Sequence, residues 1–187
     1  MTSFIRTVGG DVLPSAVRYA LTHEHGFLPV GKVSPSAVKR IRPLLKKRLV
    51  SEFRILVRNG FNLFTEVTPI GYKRPVEMWR TAGQRAGMHV VATTGFYAEE
   101  TLKGFVKSSS VARIAETIAN ELTEGIDGSP CRAGVIKASA HGYEPLRNEK
   151  KVFLAAAKAA LATGAPVTTH CPLGPVAQLN LLEGAGL

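Results

Sequence analysis

The sequence is short of several things. Its 187 residues include only two cysteines, Cys131 and Cys171. That excludes a disulfide framework and any zinc site built from cysteine alone. It lacks a run of about 18 uncharged apolar residues, so it predicts no membrane-spanning helix. The opening Met1-Thr2-Ser3-Phe4-Ile5-Arg6 has neither the charged head nor the apolar core of a secretion signal. The expectation is a cytoplasmic protein with reduced thiols. No G-x-G-x-x-G follows an early strand and no complete P-loop occurs, which disfavours a nucleotide-binding doubly wound sheet. Acidic residues are also few, 14 against 24 Lys plus Arg, for a net charge of +10. Hydrophobic residues at 45% and charged residues at 20% are close to globular averages. The length suits one domain over 1–187, or part of a larger one.

The basic excess is local. Lys32, Lys39, Arg40, Arg42, Lys46, Lys47, Arg48, Arg54 and Arg58 face a single acid, Glu52, within one window. Such a stripe can meet nucleic acid or an acidic partner. In the same window Val38, Ile41, Leu45, Leu49, Phe53, Leu56 and Val57 recur at helical spacing, so the cations also fit the solvated face of an amphipathic helix. Without RNA-recognition aromatics or zinc fingers, the solvated face is preferred and a nucleic-acid partner is not expected.

Along the chain, strands and helices alternate. A hairpin turning at Gly9-Gly10 and ended by Pro14 is predicted for 4–13. A strand at 20–22 runs into His23-Glu24-His25. A helix over 36–59 follows, capped by Gly60 and split or kinked at Pro43. Strands are expected at 61–67, 89–94, 133–137 and 166–169. Helices are expected from Pro75 to about Gly87, and over 111–124, 148–163 and 175–183. Alternation implies a parallel sheet with right-handed crossovers, as in doubly wound folds and βα barrels.

Polar residues gather where these strands end. His23 and His25 follow the first, Glu66 closes the second, Lys137 the fourth and His170 the fifth. In a βα barrel these ends share one mouth, where active sites are built. H-x-H puts two imidazoles on one side of an extended strand, able to grip one cation, although an ordinary hydrogen-bonded pair has the same spacing. Lys137, after four small or apolar residues, is costly to bury as a cation. It fits a Schiff-base amine, a general base, a metal bridge after reaction with carbon dioxide, or a lysine snorkelling at the rim. His170 and Cys171 fit ligands or bystanders. Glu66 fits a ligand or, preferably, a hydrogen-bond partner of the loops. His141 can reach the mouth but carries little weight. His89, starting a strand, belongs at the opposite end.

Thr22-His23-Glu24-His25, the stretch 93–97 (Thr-Thr-Gly-Phe-Tyr), 121–128 (Glu-Leu-Thr-Glu-Gly-Ile-Asp-Gly), 133–137 (Ala-Gly-Val-Ile-Lys) and 163–170 (Thr-Gly-Ala-Pro-Val-Thr-Thr-His) occur in one order. Together with the opening 7–14, they resemble the phosphotriesterase family of the amidohydrolase superfamily. The resemblance implies an α/β fold of the (β/α)8 TIM-barrel type. It also implies two divalent metals, usually zinc, at the mouth. His23 and His25 would hold one, His170 the other, and a carboxylated Lys137 would bridge them. A metal-bound hydroxide would attack an ester, lactone or phosphoester substrate. Tyr97 would line the substrate pocket. Glu66 stands where the family more often has Asp, and remains a minor candidate ligand.

The sequence also departs from that pattern. A further His and an Asp are expected after later strands, and the chain is read as the N-terminal portion, with about five of eight βα units. A C-terminal barrel fragment or a homodimer is then an expected partner. The rival expectations are a truncated remnant or split subunit that binds metal without turnover, and a basic binding module.

Overall fold

The computed structural model describes residues 3–26, 35–99, 102 and 104–187, with the backbone alone for 35–40. Lys32, and the side chains of Val38, Lys39 and Arg40 in the basic stripe, lie outside the described residues. A small hairpin comes first, β1 (Ile5–Thr7) and β2 (Gly10–Val12), antiparallel with Thr7 opposite Gly10. Then follow β3 (Tyr19–Glu24), α1 (Pro35–Arg58), β4 (Phe61–Glu66), α2 (Val76–Ala86) and β5 (His89–Gly95). The rest is α3 (Gly104–Ser108), α4 (Val111–Thr123), β6 (Val135–Ser139), α5 (Arg147–Thr163), β7 (Val167–His170) and α6 (Pro175–Gly184). Among the described residues, no helix is long and apolar enough to cross a membrane.

Strands β3 to β7 form one parallel sheet in chain order. Sequential order with helical crossovers is the βα-barrel arrangement, in which a closed barrel has eight strands. The parallel sheet implied by the alternation is present, and its sequential order is that of the barrel type implied by the family resemblance. Most of the core lies on the helix-facing side, where Phe64, Val90, Ala92, Ile136 and Ala138 meet Phe53, Trp79, Ile114, Ile118 and Phe153. The concave side has its own smaller cluster of Leu63, Val91 and Val135, packed against Ile5 and Val17. The hairpin thus covers the N-terminal end of the sheet. Gly134 permits this approach: a Cβ there would stand 2.3 Å from the Arg6 carbonyl oxygen.

Two differences from the sequence reading are physical. Pro43 does not split α1, which runs as one helix through it. The residue sits on the exposed side of the helix, where a carbonyl left without its donor is hydrated. Leu49, Val50 and Phe53 are buried while Arg42, Lys47, Arg48, Arg54 and Arg58 are exposed, an amphipathic division along the second half of the helix; Ile41, expected on the buried face, is exposed. The short α3 was not expected; five residues carry too little periodicity to show.

Candidate functional site

The parallel strands end on one side, and the register decides what meets there. Lys137 is level with Gly95 on β5 and Thr168 on β7, and Ser139 is level with His170. Because side chains alternate, Lys137 and Ser139 share the concave face, and their register partners Thr168 and His170 share it with them. Gly95 leaves room beside the lysine: it has φ +90°, and a Cβ there would lie 2.1 Å from the Lys137 carbonyl oxygen.

Lys137 is 1% exposed, and its Nζ donates to His23 Nε2 at 2.9 Å across 114 positions of sequence. Burial pushes its amine down to about 8, because a cation is poorly solvated there. The His23 imidazole is also held below its ordinary value, first by burial and then by Lys137, His25 and His170. Those three residues are thus all within electrostatic reach of His23. The His23 and His25 rings lie 6.1 Å apart, nearly edge to face.

On the β7 flank, Tyr97 joins two imidazoles. Its hydroxyl is 3.2 Å from His170 Nε2 and 3.1 Å from His141 Nε2. The three rings stand 5.2 to 5.4 Å apart. The backbone around Tyr97 is tied down from below by Glu149, whose buried carboxylate accepts from the amides of Glu99 and Leu146. His141 reaches the mouth, as its position allowed. Its one signal was its place four residues after Lys137, in the loop leaving the mouth.

Glu66 stands on the other flank. In register with Ala92, it starts from the helix-facing side of the sheet. Its carboxylate is fully buried and accepts from the Gly26 amide at 2.5 Å, the Thr68 amide at 3.0 Å and the Thr68 hydroxyl. Thr68 Oγ1 is 3.0 Å from His25 Nδ1, and Glu66 Oε1 is 3.7 Å from the same nitrogen. Thr68 went unnoticed in the sequence, where a lone threonine after a strand carries no signal. His89 opens β5 at the end opposite Gly95, and Cys171 is a half-buried free thiol just past β7.

Among the described residues, no three His, Cys, Asp or Glu side chains stand close enough together to hold a metal by themselves. The mouth instead offers imidazoles with a buried amine. Thr93 and Ser139, on the concave face, also have buried hydroxyls without a hydrogen-bond partner.

The phosphotriesterase family profile matches residues 3–187. The chain belongs to the phosphotriesterase family. It is 30% identical over 174 residues to the phosphotriesterase homology protein of Escherichia coli (strain K12), covering 90% of this chain and 58% of that protein. The N-acetyltaurine hydrolase of Xenopus tropicalis is 28% identical over 194 residues, covering 89% of this chain and 56% of its own. The chain therefore spans less than three fifths of the length of these relatives. In fold it matches a lactonase from Listeria monocytogenes with a TM-score of 0.84 at 22% identity, over 99% of this chain and 62% of that one.

Proposed function

We propose that this family member carries metal-binding strands of a hydrolase acting on an ester, lactone or phosphoester bond. The observation that carries the reading is the Lys137–His23 contact. It draws together strands far apart in sequence and leaves a buried amine facing imidazoles, with no carboxylate within ion-pair distance among the described residues.

The donor set fits divalent metal. Imidazole nitrogen suits zinc, with His23 and His25 on one side and His170 on the other. An amine shifted down to about 8 has a sizeable neutral fraction near neutral pH. The ammonium first gives one proton to solvent; the neutral amine then attacks carbon dioxide, a nitrogen–carbon bond forming as one C=O π bond opens, and a second proton leaves, so that a buried cation would become an anionic two-oxygen donor. The unpartnered hydroxyls of Thr93 and Ser139 suit such a polar occupant. Bound metals supply Lewis acidity towards the scissile bond and acidify a water. The chain's own groups do the rest: the imidazoles orient the cations, and Tyr97 presents a hydroxyl at the rim.

Metal content tests the reading. A complete barrel containing this chain should retain about two zinc equivalents after dialysis, and the same barrel with Lys137→Ala at most one, measured by elemental analysis. Unchanged content in Lys137→Ala refutes the bridging role.

A further inference from the structure

Glu66 and Thr68 touch His25 from behind, on the side away from the concave face, and their hydrogen bonds can be assigned a direction. The Thr68 hydroxyl has one proton to give and two polar neighbours, Glu66 Oε1 and His25 Nδ1. The Glu66 carboxylate accepts on both oxygens, the Gly26 amide on Oε2 and the Thr68 amide on Oε1, and the Thr68 hydroxyl donates to that same Oε1. The hydroxyl proton therefore points to Glu66, and Thr68 Oγ1 meets His25 with lone pairs alone. His25 Nδ1 must then be the donor. A neutral imidazole has one N–H, so Nε2 is left bare.

We propose that Glu66 and Thr68 are positioning residues, a two-step relay that holds His25 in its Nδ1–H form with the Nε2 lone pair free for a cation. The inference rests on the metal-binding reading above, and deepens it. Carboxylate-anchored histidines are the general means by which metal sites fix tautomer and ring orientation. Here the anchor is indirect, the threonine spanning the gap between a fully buried carboxylate and an imidazole 3.7 Å away. Gly26 belongs to the same device. A Cβ at that position would lie 3.2 Å from Glu66 Oε2 and 3.4 Å from the Phe64 ring, so a side chain there would press on the carboxylate that its amide holds.

The test reads the tautomer directly. In 15N-labelled, metal-free chain at pH 8, long-range proton–nitrogen correlations should show His25, assigned by its loss in His25→Gln, with the proton on Nδ1. Thr68→Val removes the acceptor and should move the proton to Nε2 in part or whole; Thr68→Ser should restore it. Zinc affinity, measured by competition with a chromophoric chelator, should fall about 10- to 100-fold in Thr68→Val and stay near wild type in Thr68→Ser. A wild-type His25 protonated at Nε2, or a folded Thr68→Val with an unchanged tautomer, overturns the relay. If Thr68→Val does not fold, the wild-type and Thr68→Ser spectra decide alone. A wild-type chain with the Nδ1 proton in place but no zinc affinity overturns the metal reading and leaves the relay standing.

Discussion

The two flanks of the mouth hold their histidines in opposite ways. On the β3 side, His25 is backed by a carboxylate with no exposed surface, three donors on its two oxygens, and a threonine between them. On the β7 side, His170 is met by an aromatic group, Tyr97 with His141, and every strand residue there is only partly buried. The first flank is fixed by buried polar groups that are expensive to leave unpaired. The second is fixed by ring contacts and by hydrogen bonds nearer solvent, each worth less. The difference lies in the anchors, rigid where Glu66 and Thr68 are buried and adaptable at the tyrosine; His23, His25 and most of β3 are themselves exposed, more so than β7.

The largest effect should come from breaking the rigid flank. Glu66→Ala strands the buried Thr68 amide and the partly buried Gly26 amide, takes one partner from the Thr68 hydroxyl, and leaves a cavity. The expected loss is about 4 kcal/mol of unfolding free energy in urea titration. A loss below about 1 kcal/mol would show that water replaces the carboxylate without difficulty, and the supposed contrast between flanks would vanish.

Lys137, between the flanks, sharpens the comparison through pH. Its amine is lowered to about 8 in the folded chain and is near 10.4 when unfolded. Between those values the unfolded chain binds more protons, so stability rises with pH across that window. Below about pH 8 the folded state bears the full cost of the buried cation. Lys137→Met should remove that rise, a difference of at most about 3 kcal/mol between the two chains. The measurement is paired denaturation of metal-free, bicarbonate-free protein at pH 7.5 and 9.5. Parallel curves would mean the amine is solvated when folded.

Much of this fold could be read from the sequence, for a definite reason. Strands such as Phe61–Glu66 and His89–Gly95 are short apolar runs closed by polar residues, and buried parallel strands must have that form. That His23, His25, Lys137 and His170 lie toward one side of the sheet followed from its topology, since parallel strands in sequential order share one exit, although Lys137 stands in the middle of β6 rather than at its end as expected. Partner choice could not be read. Nothing local says that Lys137 donates to His23, that Thr68 spans Glu66 and His25, or that Tyr97 touches two imidazoles. Each depends on strand curvature and loop approach over 43 to 114 positions. At Pro43 a local penalty of about 3 kcal/mol does not break the helix, because the helix is held by the tertiary burial of Leu49, Val50 and Phe53.

The smallest expected effect is on the adaptable flank. Tyr97→Phe keeps the ring against His141 and His170 and removes only the hydroxyl that joins them. Both imidazoles can turn to water, because the β7 flank is only partly buried. The loss should be about 1 kcal/mol or less. If the tyrosine serves a substrate at the rim rather than the framework, hydrolysis should fall further than stability does. The two readouts belong in the same experiment, with Glu66→Ala alongside as the variant in which stability falls first. A Tyr97→Phe chain as unstable as Glu66→Ala would mean that its hydroxyl is a structural link of the same rank, and that the mouth is rigid on both sides.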